Sequence, residues 1–267
     1  MTGRTHFGCA EDGICVIILL IIDEIEVLNA MILKILGCNG PYPAPGAACS
    51  GYLLTSDSGN TRILIDCGPG VLAQLMAEGG PDSLDAVLLS HLHYDHMSDL
   101  LPMQYAIQFH PRRHPLPVYA PRTPEPVRAL LDCPQFDVWP AEDCTIGEMR
   151  VSFTPARHPV ETNAIAVECD GARFVFTGDS NTDALVELFC ECADLLLADC
   201  GLSEADHSLT SPHYSAKLCG ALAKNAHAAR LLLTHLNPKY DPQALLAEAR
   251  EVYPDAELAV QGESYAI

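Results

Sequence analysis

Four residues able to bind a metal ion fall within six positions of the chain, in the segment His91-Leu92-His93-Tyr94-Asp95-His96. The segment follows an apolar run, residues 86–89, which is typical of a buried strand. Imidazole nitrogen and carboxylate oxygen are ligands that zinc accepts. In an extended segment His91 and His93 point the same way, whereas the chain turns before His96 and aims it elsewhere. The spacing therefore favours a site for two metal ions over a site for one.

Three further candidates each follow an apolar run that is typical of a strand. They are His158, after the alternating residues 149–153; Asp179, after residues 173–176; and His235, after residues 231–234. A single histidine after a strand is more often a surface or core residue than a ligand. Together with the first segment, however, these residues give four strand ends that carry metal-binding side chains.

These motifs resemble those of the metallo-β-lactamase superfamily, over residues 31 to the C-terminus. Residues 38–43, 46–54 and 64–70, His213-Tyr214-Ser215-Ala216 and residues 233–240 are similar to the branch that contains tRNase Z and the small cyclic phosphodiesterases. The resemblance implies an α/β fold, a four-layer αββα sandwich with its metal site at the shared edge of two sheets. It implies two divalent ions, zinc first, with Mn²⁺ or Fe²⁺ as alternatives. One ion would be bound by His91, His93 and His158, the other by Asp95, His96 and His235, with Asp179 bridging both.

Such a site is expected to make the chain a metal-dependent hydrolase. Two zinc ions about 3.5–4 Å apart can hold a bridging hydroxide that attacks in line. Asp95 would orient this hydroxide and accept its proton, and the resemblance places His213 where it can protonate the leaving group. Capping of the following helix is the structural alternative for His213. Glu204 is a further candidate as the proton-relay partner of His213, and His207 is interpreted as a loop residue.

A small phosphodiester is the predicted substrate, because two features argue against a long nucleic acid. The formal net charge is −20, with only 15 Lys and Arg residues, whereas nucleic acid binding needs a basic surface. In tRNase Z a long arm that grips the tRNA lies between the third histidine and the bridging aspartate. Here residues 159–178 leave room for one hairpin only. The alternative is hydrolysis of a lactone, thioester or β-lactam by the same metals, while a flavo-diiron redox role or a scaffold role is disfavoured.

One local basic run remains, His110-Pro111-Arg112-Arg113-His114, with Arg122 and Arg128 beyond it. Its two interpretations are a solvated loop, which we favour, and a rim that meets the phosphate above the metals.

The pattern of the remaining chain predicts mixed α/β layers in one domain, residues 31–267. The chain has 267 residues and is 49% hydrophobic, which is enough for a large core. Asp170-Gly171 is a hairpin signal. Strands are predicted at residues 32–36, 51–55, 62–65, 86–89, 117–119, 149–153, 164–169 and 173–176, and helices at residues 71–78, 98–108, 183–192, 215–225 and 242–253.

Residues 1–30 do not fit this pattern and are interpreted as an N-terminal extension, with an extra helix or edge strand as the alternative. The apolar run at residues 14–22 is too short for a membrane span, which needs roughly 20 residues, and acidic residues flank it. We therefore expect no membrane partner. The 12 cysteines include no C-x-x-C pair, so we expect free thiols and a cytoplasmic location. A homodimer is an open alternative to a monomer, because relatives in this branch often form dimers.

Overall fold

The computed structural model describes residues 30–267 of the chain. Its strands are β1 (Met31–Gly37), β2 (Gly51–Ser56), β3 (Arg62–Ile65), β4 (Ala86–Leu88), β5 (Leu116–Ala120), β6 (Phe136–Pro140), β7 (Cys144–Ile146), β8 (Met149–Pro155), β9 (Asn163–Cys169), β10 (Ala172–Phe176), β11 (Leu195–Asp199), β12 (Leu231–Thr234), β13 (Glu257–Leu258) and β14 (Ser264–Ala266). Its α-helices are α1 (Val71–Ala77), α2 (Tyr94–Met97), α3 (Leu100–Phe109), α4 (Glu125–Arg128), α5 (Ala184–Phe189), α6 (Ala216–Asn225) and α7 (Pro242–Arg250).

The strands form two sheets of seven strands each. The order is β14-β1-β2-β3-β4-β5-β6 in the first sheet and β13-β12-β11-β10-β9-β8-β7 in the second. Successive side chains of a strand point to opposite faces of the sheet. A central strand with a packed layer on each side therefore buries both sets of side chains. In β3, Ile63 and Ile65 face the core between the sheets, whereas Leu64 packs under the helices. The uninterrupted apolar runs of the sequence therefore belong to strands that are covered on both sides.

Three apolar layers hold these elements together. The middle layer lies between the sheets and includes Tyr52, Phe174 and Phe176. A second layer lies between the first sheet and its helices α1 and α3, and a third lies between the second sheet and helices α5, α6 and α7. Helices thus cover the outer face of each sheet. The predicted αββα sandwich is confirmed.

Most predicted elements are present, including the hairpin at Asp170-Gly171, where Cys169 pairs with Ala172. The helix predicted at residues 183–192 ends earlier, at Phe189, and strand β11 follows it. Strand β11 was not among the predicted strands, because its run of three leucines and an alanine lacks β-branched and aromatic residues. This omission matters, because β11 delivers a polar residue to the site described below.

Several expectations concern regions or properties outside the site. The interpretation of the N-terminal extension falls almost entirely on residues 1–29, outside the described residues. Between residues 30 and 267, no helix has the length and apolarity needed to cross a membrane. The cysteines of this range are free thiols, as expected, and most of them are buried. Cys190 is buried while Cys192 is exposed, so this pair faces different ways.

Candidate metal centre

The polar residues predicted at the strand ends meet at the edge that the two sheets share. Strands β3 and β4 run parallel, as do β10, β11 and β12, so the carboxyl ends within each set lie side by side. The backbone N–H of Asn163, which begins β9, donates a 2.9 Å hydrogen bond to the carbonyl oxygen of Ser90, which follows β4. This bond joins the two sheets next to the histidine segment.

A first His–Asp group consists of His91, His93, His158 and Asp179, whose candidate ligand atoms all lie within 4.8 Å of one another. Nδ1 of His93 lies 3.0 Å from Nε2 of His91 and 3.1 Å from Nε2 of His158. Oδ2 of Asp179 lies 3.7 Å from Nε2 of His91. His91 and His93 therefore point to the same place, as their spacing predicts.

A second His–Asp group consists of Asp95, His96, Asp179 and His235, again within 4.8 Å. Nε2 of His96 lies 3.3 Å from Oδ1 of Asp179, and Nε2 of His235 lies 3.1 Å from Oδ2 of Asp95. Asp95 and His96 sit on the short helix α2, so the turn after His93 aims them at this second group. Asp179 belongs to both groups, and each of its oxygens lies near a different one of the histidines His91 and His96.

These two groups fit divalent metal ions. Bond lengths of about 2.0–2.2 Å place the ligand atoms around a tetrahedral zinc roughly 3.3–3.5 Å apart, close to the distances found here. Nε2 of His96 and Oδ1 of Asp179 are buried and have no hydrogen-bond partner in the described part of the chain. Buried polar atoms without a partner are costly, and a cation between them would remove that cost.

The protonation states of the first group also suit a cation. Burial lowers the pKa of His91 well below its ordinary value, and the neighbouring His96 and His158 lower it further. Burial alone would raise the pKa of Asp179, but the surrounding imidazoles outweigh it and hold this pKa well below the usual range. Neutral His91 beside the ionised Asp179 is therefore already in the form that binds a metal. In the second group burial alone would lower the pKa of His96 and His235, but the carboxylates, Asp179 first, outweigh it and raise both, so an incoming metal ion would displace their protons.

Asp66, directly after β3, orients His96 of the second group from the side of the ring opposite its candidate ligand atom. Its carboxylate accepts hydrogen bonds from Nδ1 of His96 at 2.7 Å and from the backbone N–H and hydroxyl of Ser90 at 2.8 Å each. The Ser90 hydroxyl lies 3.1 Å from Nδ1 of His91. The carboxylate thereby fixes the Nδ1 proton of His96 and leaves Nε2 free for a ligand bond. Asp66 lies within residues 64–70, which carry part of the family resemblance, but it was not among the predicted site residues.

His213 lies at the mouth of the site rather than serving only as a helix cap; Ser215 caps helix α6 instead. The ring of His213 stacks on that of His235, with centroids 4.9 Å apart. Nδ1 of His213 lies 2.9 Å from Oδ2 of Asp199. Burial lowers the pKa of His213, but the Asp199 carboxylate outweighs this effect and raises it.

Asp199, the last residue of β11, was missed in the sequence. It occupies the place that we considered for Glu204, whose carboxylate instead accepts a hydrogen bond from the hydroxyl of Ser215. Its position would have predicted a site residue, because Asp199 ends an apolar run as the other site residues follow theirs. Oδ1 of Asp199 lies 3.3 Å from Nδ1 of His235, so this carboxylate contacts both stacked rings.

The loop that carries His213 is tied to the same edge. Buried Asn181 donates through Nδ2 to the carbonyl oxygens of Ser208 and Ser211. Nδ1 of His158 donates to the carbonyl oxygen of Pro212 at 3.0 Å. His207 contacts Oδ1 of Asn181 at 3.0 Å and belongs to the loop, in agreement with our interpretation.

The basic run at residues 110–114 lies away from the site. It precedes β5, which is parallel to β4, so it sits at the edge opposite the histidines that follow β4. Arg112 donates to the carbonyl oxygens of Pro81 and Leu84 and so fixes a turn. For residues 110–114 the favoured loop interpretation fits this position, and the phosphate-rim alternative is wrong. Arg122 follows β5 at the other edge, where it pairs with Glu142.

Comparison with known proteins shows the family to which the chain belongs. The family model for the beta-lactamase superfamily domain matches residues 61–236. The chain belongs to this superfamily. A relative described as probable metallo-hydrolase YhfI of Bacillus subtilis is 32% identical to this chain. The match covers 84% of this chain and 94% of the relative. A ribonuclease Z of Methanopyrus kandleri is 30% identical over 87% of this chain and 96% of its own length.

Solved structures of this superfamily share the fold. The crystal structure of B. subtilis YhfI gives a TM-score of 0.82 at 32% identity, covering 89% of this chain and 99% of that one. Human tRNase Z, short form, gives a TM-score of 0.72 at 20% identity, with 88% and 99% covered. A diphosphatase from the PhnP family gives 0.68 at 19% identity, with 89% and 98% covered. The chain is therefore a metallo-hydrolase of the metallo-β-lactamase fold, and its His–Asp groups suit divalent metals.

Proposed function

We propose that this metallo-hydrolase is a phosphodiesterase that acts on a small phosphodiester with two divalent metal ions, zinc first. The observation that carries the proposal is the pair of His–Asp groups sharing Asp179, with His213 beside the second group. In the first group the ligands would be His91, His93 and His158. In the second they would be Asp95, His96 and His235.

When bound, two such ions would lower the pKa of water toward 7 and neutralise charge that develops on the phosphoryl oxygens. The residues of the chain supply the rest. Asp95 directs Oδ2 toward His235, and we assign the carboxylate to orient the attacking water and take its proton. Asp179 would fix the spacing of the two ions.

We assign His213 the protonation of the leaving oxygen. Its Nδ1 is held by Asp199, which leaves Nε2 free to face a substrate. Its side chain is 16% exposed, in contrast to the fully buried His235, so a substrate can reach it. An imidazole fixed in this way is suited to general acid catalysis. An acid also helps carbonyl hydrolysis, so the argument for phosphorus is the similarity of the His213-Tyr214-Ser215-Ala216 segment to the phosphodiesterase branch.

A small substrate is favoured by charge. Two basic residues close to the site residues in the chain already have partners: Arg157 donates to the carbonyl oxygen of Leu209, and Lys239 pairs with Asp206. Residues 159–178 contain the β9–β10 hairpin and no inserted arm. With a net charge of −20, the protein has little positive charge to attract a polyanion.

We further propose that residues 31–267 form one domain and that its free thiols belong to a reducing cytoplasm.

Hydrolysis of bis-p-nitrophenyl phosphate, compared with a simple lactone and a thioester, tests this proposal when metal content is measured on the same sample. We expect phosphodiester turnover and about two metals per chain. Asp179→Ala should abolish both metal loading and turnover, whereas Asp82→Ala, a change at an exposed acid away from the site, should leave both intact. Lactone or thioester turnover without phosphodiester turnover would contradict the proposal and move the enzyme to carbonyl substrates. Retained activity in Asp179→Ala would contradict the two-metal site.

A further inference from the structure

Two glycines lie directly against the stacked imidazoles of His213 and His235. Neither Gly40 nor Gly201 is among the glycines with positive φ, so backbone conformation does not require glycine at either position. The structure instead leaves no room for a side chain there, and in both cases the atoms in the way belong to a histidine of the site.

Gly40 packs against His235. A Cβ atom at residue 40 would lie 1.9 Å from Nε2, 2.0 Å from Cδ2 and 2.4 Å from Cε1 of that ring, and Nε2 is the atom that faces Asp95. The backbone here cannot easily retreat. The N–H of Leu236 donates to the carbonyl oxygen of Cys38 at 2.8 Å, and Nδ2 of Asn39 donates to the carbonyl oxygen of Leu236 at 2.9 Å. Any side chain at residue 40 must therefore displace His235.

Gly201 packs against His213. A Cβ atom at residue 201 would lie 2.8 Å from Cγ and 3.0 Å from Cβ of His213, closer than side chains normally approach. The N–H of Gly201 donates to Oδ1 of Asp199 at 3.0 Å. The carboxylate that holds His213 thus also holds the backbone of residue 201, so a side chain there would push the imidazole away from Asp199.

We propose that Gly40 and Gly201 are positioning residues of the site: Gly40 sets His235 for the second metal ion, and Gly201 sets His213 for the leaving group. The inference rests on the proposed function for the role of His213. It predicts different failures for the two positions, a loss of metal at Gly40 and a loss of proton transfer at Gly201.

The test measures metal per chain and turnover of two diesters that differ in leaving group. Gly40→Ala should reduce the metal content from about two ions to about one. Gly201→Ala should keep both ions, lose at least about 10-fold in kcat on diphenyl phosphate, and lose much less on bis-p-nitrophenyl phosphate, since p-nitrophenolate departs with little help from an acid. Gly46→Ala is the control for backbone strain without a clash, because it lies in the same loop as Gly40, its φ is +77°, and nothing stands within 4 Å of its added Cβ. It should lower the Tm but keep both ions.

Double variants keep the test decisive if a single variant does not fold. If the clash is the cause, Gly201→Ala adds no further loss in a His213→Ala background, and Gly40→Ala leaves the Tm of His235→Ala unchanged. Three results would overturn the inference. Gly40→Ala would retain two metal ions per chain, Gly201→Ala would lose activity equally on both diesters, or the double variants would show additive effects. If the unmodified enzyme cleaves no phosphodiester, the proposed function fails, while metal content and Tm still decide the role of Gly40.

Discussion

Nδ1 of His213 donates a 2.9 Å hydrogen bond to Oδ2 of Asp199. The other oxygen of Asp199 lies 3.3 Å from Nδ1 of His235, so one buried carboxylate supports both a group at the mouth and a group of the candidate metal centre. The carboxylate is itself fixed by the backbone N–H groups of Ser180 and Gly201. Fixed orientation of this kind is what distinguishes a working site from a loose cluster of polar side chains.

Asp199→Asn should lower kcat by at least about 10-fold, because the isosteric amide removes the negative charge that holds His213 as an acid. It should also weaken metal affinity by roughly 10-fold through His235. Steady-state kinetics and metal titration measure the two effects. Asp82→Asn, which changes an exposed acid away from the site, is the matched control. Unchanged kinetics in Asp199→Asn would remove this residue from the mechanism.

Asp66→Asn should reduce metal affinity by about 10–100-fold, as is typical for a residue that orients a metal ligand. The amide cannot accept all the hydrogen bonds that Asp66 takes from His96 and Ser90, so His96 loses its fixed orientation. Metal content after dialysis against a weak chelator is the measurement, and Asp82→Asn on the surface is the control. Full metal retention in Asp66→Asn would contradict this role.

Metal removal should destabilise the protein, because Nε2 of His96 and Oδ1 of Asp179 are buried in the described part of the chain without a hydrogen-bond partner, and a cation would satisfy both. A ligand at 100 times its Kd stabilises the folded state by about 2.7 kcal/mol, which corresponds to a Tm change of roughly 5–10 °C for a chain of this size. Thermal unfolding with and without chelator, followed by zinc addition, measures the change. A Tm that does not respond to zinc would speak against a metal site in this cluster.

Arg112→Ala should leave kcat and KM unchanged while destabilising the fold by about 1–3 kcal/mol, the usual cost of leaving buried acceptors unpaired. Its guanidinium serves the carbonyl oxygens of Pro81 and Leu84, at the edge opposite the candidate site. Kinetics and denaturant unfolding separate the two effects, with Arg113→Ala as a neighbouring control. An increase in KM for a phosphodiester would restore the phosphate-rim interpretation.

Much of this architecture could be predicted from the sequence, because apolar runs ending in polar residues mark the strand ends that meet at one edge. His91, His93 and Asp179 were found in this way. Asp199 follows the same pattern but lies in a leucine run that was not recognised as a strand. The role of Gly40 could not be predicted, since its contact with His235 joins segments that are far apart in the chain and arises only when the sheets pack.

We propose above all that the two His–Asp groups hold two metal ions that share Asp179. A crystal structure of the zinc-loaded protein, with anomalous difference maps on both sides of the zinc edge, tests it most directly. We expect two peaks about 3.5–4 Å apart, one beside His93 and one beside His235, with Asp179 between them. A single peak, or two peaks of which neither contacts Asp179, would contradict the two-metal centre.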